Sequence, residues 1–423
     1  MQRKWYLWLL LLLPTLATTG RQNIYASDST IHIDSIHIRK NWRTKDKIIL
    51  QEMGIKPGMD IDKNTLDKAI TKVWNIGNFS DVRYAIDTLQ DDRILLNITA
   101  KDAFTIVPIL SFSGNKEEFK FTAGVSDNNF LGKNLHVGLM GTYGSNVTDF
   151  SFRITVPRQL LYKNMAIHSS VVFGHNEQYR YEQGEKNSGI GYTKKEIGFS
   201  ISNPWHRDFE YVFSPNIGIT YFQHNTDSSL IQPEIPNNGA YKINYLVTSF
   251  SESIGYVKRM RHQRDGYLIS GGFGLGIGLD HNSPHYLTLG AGASYYKLFN
   301  PIIQLSARFS TGYTTSNIPS LLFYKGNQDV RGIFNGEISG KAYYTAYIGS
   351  HFTYINRNWF ALEQSFFINW GTGADTYIDI YKNKPLASIG SGVSLMVPMI
   401  PWLYVRFYFT WPQHHNNWFS VEF

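Results

Sequence analysis

With 423 residues the chain has room for one large domain and one small one, and its lack of cysteine excludes a disulfide framework, a Cys-ligated metal and a lipidated N-terminal cysteine. The net charge of +7, from 40 basic and 33 acidic residues, comes without a dense basic run, which argues against a nucleic-acid partner. A mean hydropathy of −0.25 excludes a helical membrane protein, yet 15% of the residues are aromatic and 36 are glycine. That combination fits a transmembrane β-barrel, whose strands alternate lipid-facing and lumen-facing residues and so dilute their apolar character.

The first 26 residues read as a secretory signal peptide. Arg3 and Lys4 form the charged start, Trp5 to Leu13 the apolar stretch, and Pro14 ends it ahead of Ala17, Thr18, Thr19 and Gly20. Cleavage after positions 17 to 19 or after Ala26 is equally compatible; a short membrane anchor is the alternative, though the apolar run is too short to span a bilayer.

Residues 27–103 predict a small α+β domain. Ile31, Ile33, Ile36 and Ile38 alternate as in a strand, with a slip at Asp34–Ser35. Thr44 is placed to cap a helix ending at Gly54, and Lys56-Pro57-Gly58 is a turn. A second helix runs from about Asn64 to Ile76, with Leu66, Ala69, Ile70, Val73 and Trp74 at helical spacing. Two strands follow, Phe79 to Leu89 and Arg93 to Lys101, giving the order β-α-α-β-β.

Residues 104–423 predict an antiparallel transmembrane β-barrel of about sixteen strands, so the chain as a whole is mostly β. In Leu403 to Trp411 the odd positions are all apolar, whereas the even ones include Tyr404, Arg406 and Thr410; Phe150, Phe152, Ile154 and Val156 likewise oppose Ser151, Arg153 and Thr155. A soluble sandwich also alternates, but it rarely needs this many strands with this aromatic load. In Tyr267 to Asp280, Gly272, Gly274, Gly276 and Gly278 share the lumen face, which lets another chain segment approach the wall. Alternation continues through this run, so it is no nucleotide loop. A long connection runs between the eleventh and twelfth strands at about 316–341, and Phe419, Val421 and Phe423 share one face of the last strand.

No GxSxG elbow, HExxH or Walker loop is present, so no catalytic residue, cofactor site or metal site is assigned. His414-His415 reads as a polar turn rather than a metal pair. Lys258-Arg-Met-Arg261 with Arg264 reads as a periplasmic turn within reach of phospholipid headgroups.

Several segments resemble the BamA/TamA superfamily of outer-membrane assembly and transport barrels. The small domain looks like a single POTRA domain, most specifically from Gly58 through Val82, where a Pro-Gly turn and an amphipathic helix lead into Asn75-Ile-Gly-Asn-Phe79-Ser-Asp-Val82 and Phe79 and Val82 fill core places. Asp127-Asn-Asn-Phe-Leu-Gly-Lys-Asn134 resembles the family's turn after strand 2. Val330-Arg331-Gly332 resembles the family's lumen-loop motif, with Ile333 where an aromatic is usual and Phe334 one place later. The resemblance implies that Arg331 latches the loop onto an acidic residue of strand 13, but Asn369 stands there, and Glu363 on the same face is the substitute. The C-terminal Phe419, Val421 and Phe423 resemble a barrel-assembly signal.

By the same resemblance the chain is a non-enzymatic factor of the bacterial outer membrane with its N-terminal domain in the periplasm. It would receive unfolded outer-membrane or secreted client proteins and insert them through a lateral seam between first and last strands. Outer-membrane lipid is the other implied partner; accessory periplasmic proteins are left open, and no nucleic acid or cofactor enters. With one POTRA-like domain it is expected to be an accessory or specialised paralogue. A dedicated secretion channel and a porin-like structural barrel are the rival readings.

Overall fold

The computed structural model describes residues 30–89, 91–114, 119–157, 165–182, 185–203, 205–207, 211–213, 215–231, 242–260, 263–357, 359–397, 404–413 and 418–422. The signal-peptide segment, Arg261, His414-His415 and Phe423 lie outside them.

The N-terminal domain comprises β1 (Ile31–Ile33), β2 (Ser35–Arg39), α1 (Asp46–Met53), β3 (Met59–Ile61), α2 (Lys63–Asn75), β4 (Phe79–Thr88) and β5 (Ile94–Asp102). The slip at Asp34 is a break between two strands. Its main-chain N–H donates to the Ile94 carbonyl, and its carboxylate accepts from the Ile94 N–H at 2.6 Å. The chain thereby changes partner: β1 pairs with β3, while β2 joins a second sheet of order β2-β5-β4. Strand β3 had no signal beyond the Pro-Gly turn before it. Both helices lay their apolar stripes into one core with Ile33, Leu96 and Ile98, and Phe79 and Val82 are buried in it. Burying a Val or Phe side chain stabilises by about 1.5–3 kcal/mol.

Two helix starts differ from the sequence reading. Lys45 occupies the N-cap position of α1 without a side-chain bond, because the Thr44 hydroxyl is used elsewhere. Asp62 caps α2, accepting from the Thr65 N–H at 2.7 Å.

Thr44 is spent on the joint between domain and barrel. Its hydroxyl and main-chain N–H both donate to the Asp102 carboxylate, and its Oγ1 accepts from Asn129 Nδ2 at 2.8 Å. Asn129 Oδ1 takes the Asn134 N–H, and Asn134 Oδ1 takes Asn78 Nδ2 at 2.7 Å. Alongside, Arg43 pairs with Asp127, and the Lys45 N–H donates to the Gly132 carbonyl. Asn129, Thr44 and Asn78 are almost completely buried. The 127–134 turn, singled out above only by resemblance, is thus the socket for the N-terminal domain. Buried polar groups satisfied on every side specify one arrangement, since any other leaves donors or acceptors unpaired.

Among the described residues the barrel has sixteen antiparallel strands, from the first (Ile106–Gly114) to the last (Trp418–Glu422). The sixth (Glu185–Ser202) is extended by Trp205–Arg207, and the seventh is preceded by Tyr211–Phe213. Large apolar side chains such as Phe150, Ile197, Ile217, Phe273 and Phe366 point outward and are exposed. This inverts a soluble protein's pattern and suits hydrocarbon outside. Among the described residues no helix is long and apolar enough to cross a membrane.

The glycine stripe serves a different purpose from the one expected. A Cβ at Gly276 would overlap the ring of Tyr286 on the adjacent strand, and one at Gly278 would overlap the Ser283 carbonyl. The approaching groups therefore come from the neighbouring strand and its turn, not from a segment crossing the lumen.

Candidate functional site

The connection between the eleventh strand (Ile303–Thr314) and the twelfth (Ala342–Asn356) folds into the lumen. Its two arms form a short antiparallel ladder, Phe323–Lys325 against Ile338–Gly340. The tip between them is self-capped. The Asp329 and Val330 N–H groups donate to the Gly326 carbonyl, that of Gly332 to Asn327 Oδ1 at 2.8 Å, and that of Phe334 to Glu337. Val330 and Ile333 are buried with Ile338 and Tyr343, so the residue occupying the expected aromatic position works as a core residue of the loop.

The loop is fixed to the wall at three places. The first is built from the thirteenth strand (Ala361–Ala374), the fourteenth (Leu386–Met396) and the fifteenth (Tyr404–Pro412). There the Arg331 N–H donates to Asn369 Oδ1 at 3.0 Å, and the Arg331 carbonyl accepts from Ser388 Oγ at 2.6 Å. Ser388 Oγ also lies 2.7 Å from Asn369 Oδ1, so its single proton serves one acceptor at a time. The guanidinium carbon sits 3.7 Å from the Tyr408 ring centroid and 5.6 Å from that of Phe367. Gly332 has φ +85°, and a Cβ there would come 3.0 Å from Thr410 Cγ2. Only glycine adopts that conformation without strain at so close an approach.

The second place is the fifth strand (Ala166–Glu182), across the lumen from the thirteenth. Phe334 stacks on Tyr181 with centroids 5.5 Å apart, and a Cβ at Gly336 would overlap the Tyr179 carbonyl. The third anchors the leading arm. Ser320 Oγ lies 3.3 Å from His224 Nδ1, and Ile318 and Leu321 pack on Phe222, Ile243, Tyr245 and Tyr286. The loop therefore braces opposite walls of the barrel.

Asn369 meets the arginine's main chain, while the guanidinium extends onward to Tyr408. Tyr408 is in register with Gly392, and Gly392 with Ser365, which is the next lumen-facing residue to Glu363 on the thirteenth strand, two strands from Tyr408. Glu363 is buried, and its Oε1 lies 3.0 Å from His351 Nδ1; His351 Nε2 in turn lies 2.9 Å from Ser306 Oγ. No local motif marks this Ser–His–Glu chain, because its members come from three strands. Ser306 is paired on both sides, with Tyr296 and with Gly349. Its neighbouring amides are therefore committed to the ladder, and the oxyanion donors that a nucleophilic serine needs do not converge there.

Among the described residues the closing edge is short: the last strand has five residues and the first has nine. Tyr408, which carries the guanidinium, is the direct register partner of Ser420 on that last strand. Thr410 Oγ1, Ser420 Oγ and Asn369 Nδ2 are buried without a partner on the chain among the described residues. Phe419 faces outward against Phe409 and Phe407, and Val421 pairs with Phe407.

The lumen loop falls within one family match, and most of the socket turn and of the N-terminal domain within this and a second one. The Omp85 superfamily domain matches residues 129–418, and the POTRA family, described as a surface antigen variable number repeat, matches 31–101. The chain belongs to the Omp85 superfamily. Its members are outer-membrane β-barrels with periplasmic POTRA domains, which places this barrel in the outer membrane and its N-terminal domain in the periplasm. A putative outer membrane protein assembly factor of Treponema pallidum (strain Nichols) is 27% identical over 175 residues, covering 39% of this chain and 21% of that protein. The chain thus spans about a fifth of the length of the curated relative it matches. Among solved structures, BamA from Haemophilus ducreyi lacking POTRA domains 1–3 has a TM-score of 0.60 at 16% identity, covering 93% of this chain and 84% of that one. CdiB from Escherichia coli has a TM-score of 0.66 at 12% identity, covering 92% and 76%. CdiB from Acinetobacter baumannii has 0.64 at 14%, covering 93% and 74%. These structures share the fold of this Omp85 chain.

Proposed function

We propose that this Omp85 protein assembles or translocates other proteins at the outer membrane, receiving an unfolded client on its POTRA domain and passing it to the seam between first and last strands. The observation that carries the reading is the stacking of Arg331 on Tyr408, one strand inside the short closing edge. A loop that braces opposite walls and grips the strand beside the seam couples lumen occupancy to seam opening. Unpaired strand edges invite strand addition, so an opened seam would template a client strand by backbone hydrogen bonds with little demand on sequence. The printed description of the Treponema relative as an assembly factor supports the same reading.

In this proposal Val330, Gly332 and Phe334 hold the loop tip, Arg331 is the latch, and two groups share the place of the usual carboxylate. Asn369 fixes the arginine's main chain, and Glu363, on the same lumen-facing row of the thirteenth strand, supplies the negative charge that Asn369 lacks. Phe79 and Val82 hold the client-binding sheet together, and Phe419 and Val421, with Phe423, mark the chain's own last strand for assembly.

The test is folding of an unfolded small outer-membrane barrel in liposomes, followed by heat-modifiable gel shift. Acceleration by the wild type and its loss in Arg331→Ala support the proposal. No acceleration, with steady ion conductance from both proteins, favours a porin-like barrel or a dedicated secretion channel.

A further inference from the structure

The joint between POTRA domain and barrel is polar inside, but its outer side is apolar. Trp42, beside Arg43 in the joint, is 73% exposed. Phe104, which leads into the first barrel strand, is 67% exposed, and Leu131, at the tip of the socket turn, is 60% exposed. They belong together: a Cβ at Gly132 would overlap the Arg43 carbonyl, and Thr105 Oγ1 donates to Asp127 at 3.1 Å. Phe130 adds a further exposed ring.

This patch continues the barrel's lipid-facing belt. Ile106, Leu110 and Phe112 point outward from the first strand, as do Phe121 and Val125 from the second (Phe119–Phe130). Phe104 leads into that row from below the first strand, and Trp42 is the exposed ring on the POTRA side of the joint. Lys40 and Lys45 are exposed and Lys133 half-exposed at its margin. Tryptophan prefers the membrane–water boundary, where its ring is buried and its N–H stays wet, and lysines beside it favour anionic headgroups.

We infer that the POTRA domain is docked on the periplasmic leaflet of the outer membrane, with Trp42 seated among phospholipid headgroups beside Phe104 and Leu131. The buried polar joint holds the domain against the barrel, and the tryptophan holds its flank on the lipid. Together they keep the client-binding sheet beside the first strand, which is one lip of the seam. The inference rests on the barrel's place in the membrane and not on what its clients are.

The chain has no cysteine, so single-cysteine probes need no background removed. Trp42→Cys, Leu131→Cys and Leu89→Cys, each carrying an environment-sensitive fluorophore, are placed in phosphatidylcholine–phosphatidylglycerol vesicles. Leu89 is at the far end of β4, about 30 Å along the strand from the joint at roughly 3.3 Å per residue. The label at 42 is expected to shift to the blue and lose intensity to lipids spin-labelled near the glycerol backbone, as the label at 131 does, while the label at 89 stays unquenched. In addition, Trp42→Ser is expected to speed trypsin cleavage after Lys40 in vesicles but not in detergent. A label at 42 that matches the one at 89 overturns the inference. So does a blue shift at 42 that lipid spin labels do not quench, which would mean that a protein surface covers the patch. If the label at 131 is also unquenched, the membrane placement fails, and the docking with it.

Discussion

Replacing Tyr408 separates the latch from the wall that carries it. The ring is buried, and the Arg331 guanidinium lies 3.7 Å from its centroid. A desolvated cation–π contact contributes about 2 kcal/mol and an exposed one about 0.5–1 kcal/mol. Tyr408→Phe keeps the ring and the contact, whereas Tyr408→Leu keeps most of the buried volume and loses the contact. The leucine variant is therefore expected to favour the undocked loop by about 1–2 kcal/mol, roughly a five- to thirtyfold change in the docked-to-undocked ratio. Spin labels on cysteines at Asn327 and Ser391 report that ratio as a distance distribution, and planar-bilayer recording reports it as the frequency of open events. The phenylalanine variant should match wild type in both. In an Arg331→Ala background the leucine substitution should add almost nothing. Equal behaviour of the leucine and phenylalanine variants, or full additivity with Arg331→Ala, would refute the stacking as the element that holds the loop.

Further outcomes follow from the same geometry. Asn369→Asp turns the bond from the Arg331 N–H into a charge-assisted one, and such bonds are roughly twice as strong as neutral ones; fewer open events and a higher unfolding temperature are expected. Gly332→Ala places a Cβ in a left-handed conformation 3.0 Å from Thr410 Cγ2; the strain of about 1–2 kcal/mol should expose the loop tip to protease added outside intact cells. At the joint, Arg43→Glu or Asp127→Arg alone should loosen the POTRA domain, and the double exchange should recover most of the loss, as read by hydrogen exchange at Lys45. Asp62 is held below the usual carboxylate range, chiefly by the Thr65 N–H bond. Because its folded-state pKa is depressed, its stabilisation of α2 is present at neutral pH and fades as the pH falls through that value; Asp62→Ala should speed exchange at Thr65 at neutral pH and make little difference in acid.

The barrel was legible because its solvent is lipid on one side and water on the other. Two-residue alternation is therefore imposed on every strand, and Leu403 to Trp411 shows it plainly. The loop motif was legible through its glycine, which no other residue replaces at φ +85°. The grip of Arg331 was not, because Tyr408 and Ser388 reach it from other strands, and nothing local marks a lumen-facing tyrosine as a cation's platform. Thr44 misled for a similar reason. Its local context is that of a helix cap, but Asp102 and Asn129, far away in sequence, compete for the hydroxyl and win. The strand break at Asp34 likewise depends on Ile94 across the fold.

If clients pass through the seam, a reversible lock on that seam stops them. Cysteines placed in pairs along Ile106–Gly114 and Trp418–Glu422 give, on oxidation, the chain's sole disulfide. Client folding in liposomes is then measured before and after reduction. Loss of acceleration in the oxidised protein and its return on reduction are predicted. Acceleration as strong with the seam locked as with it unlocked would contradict the account.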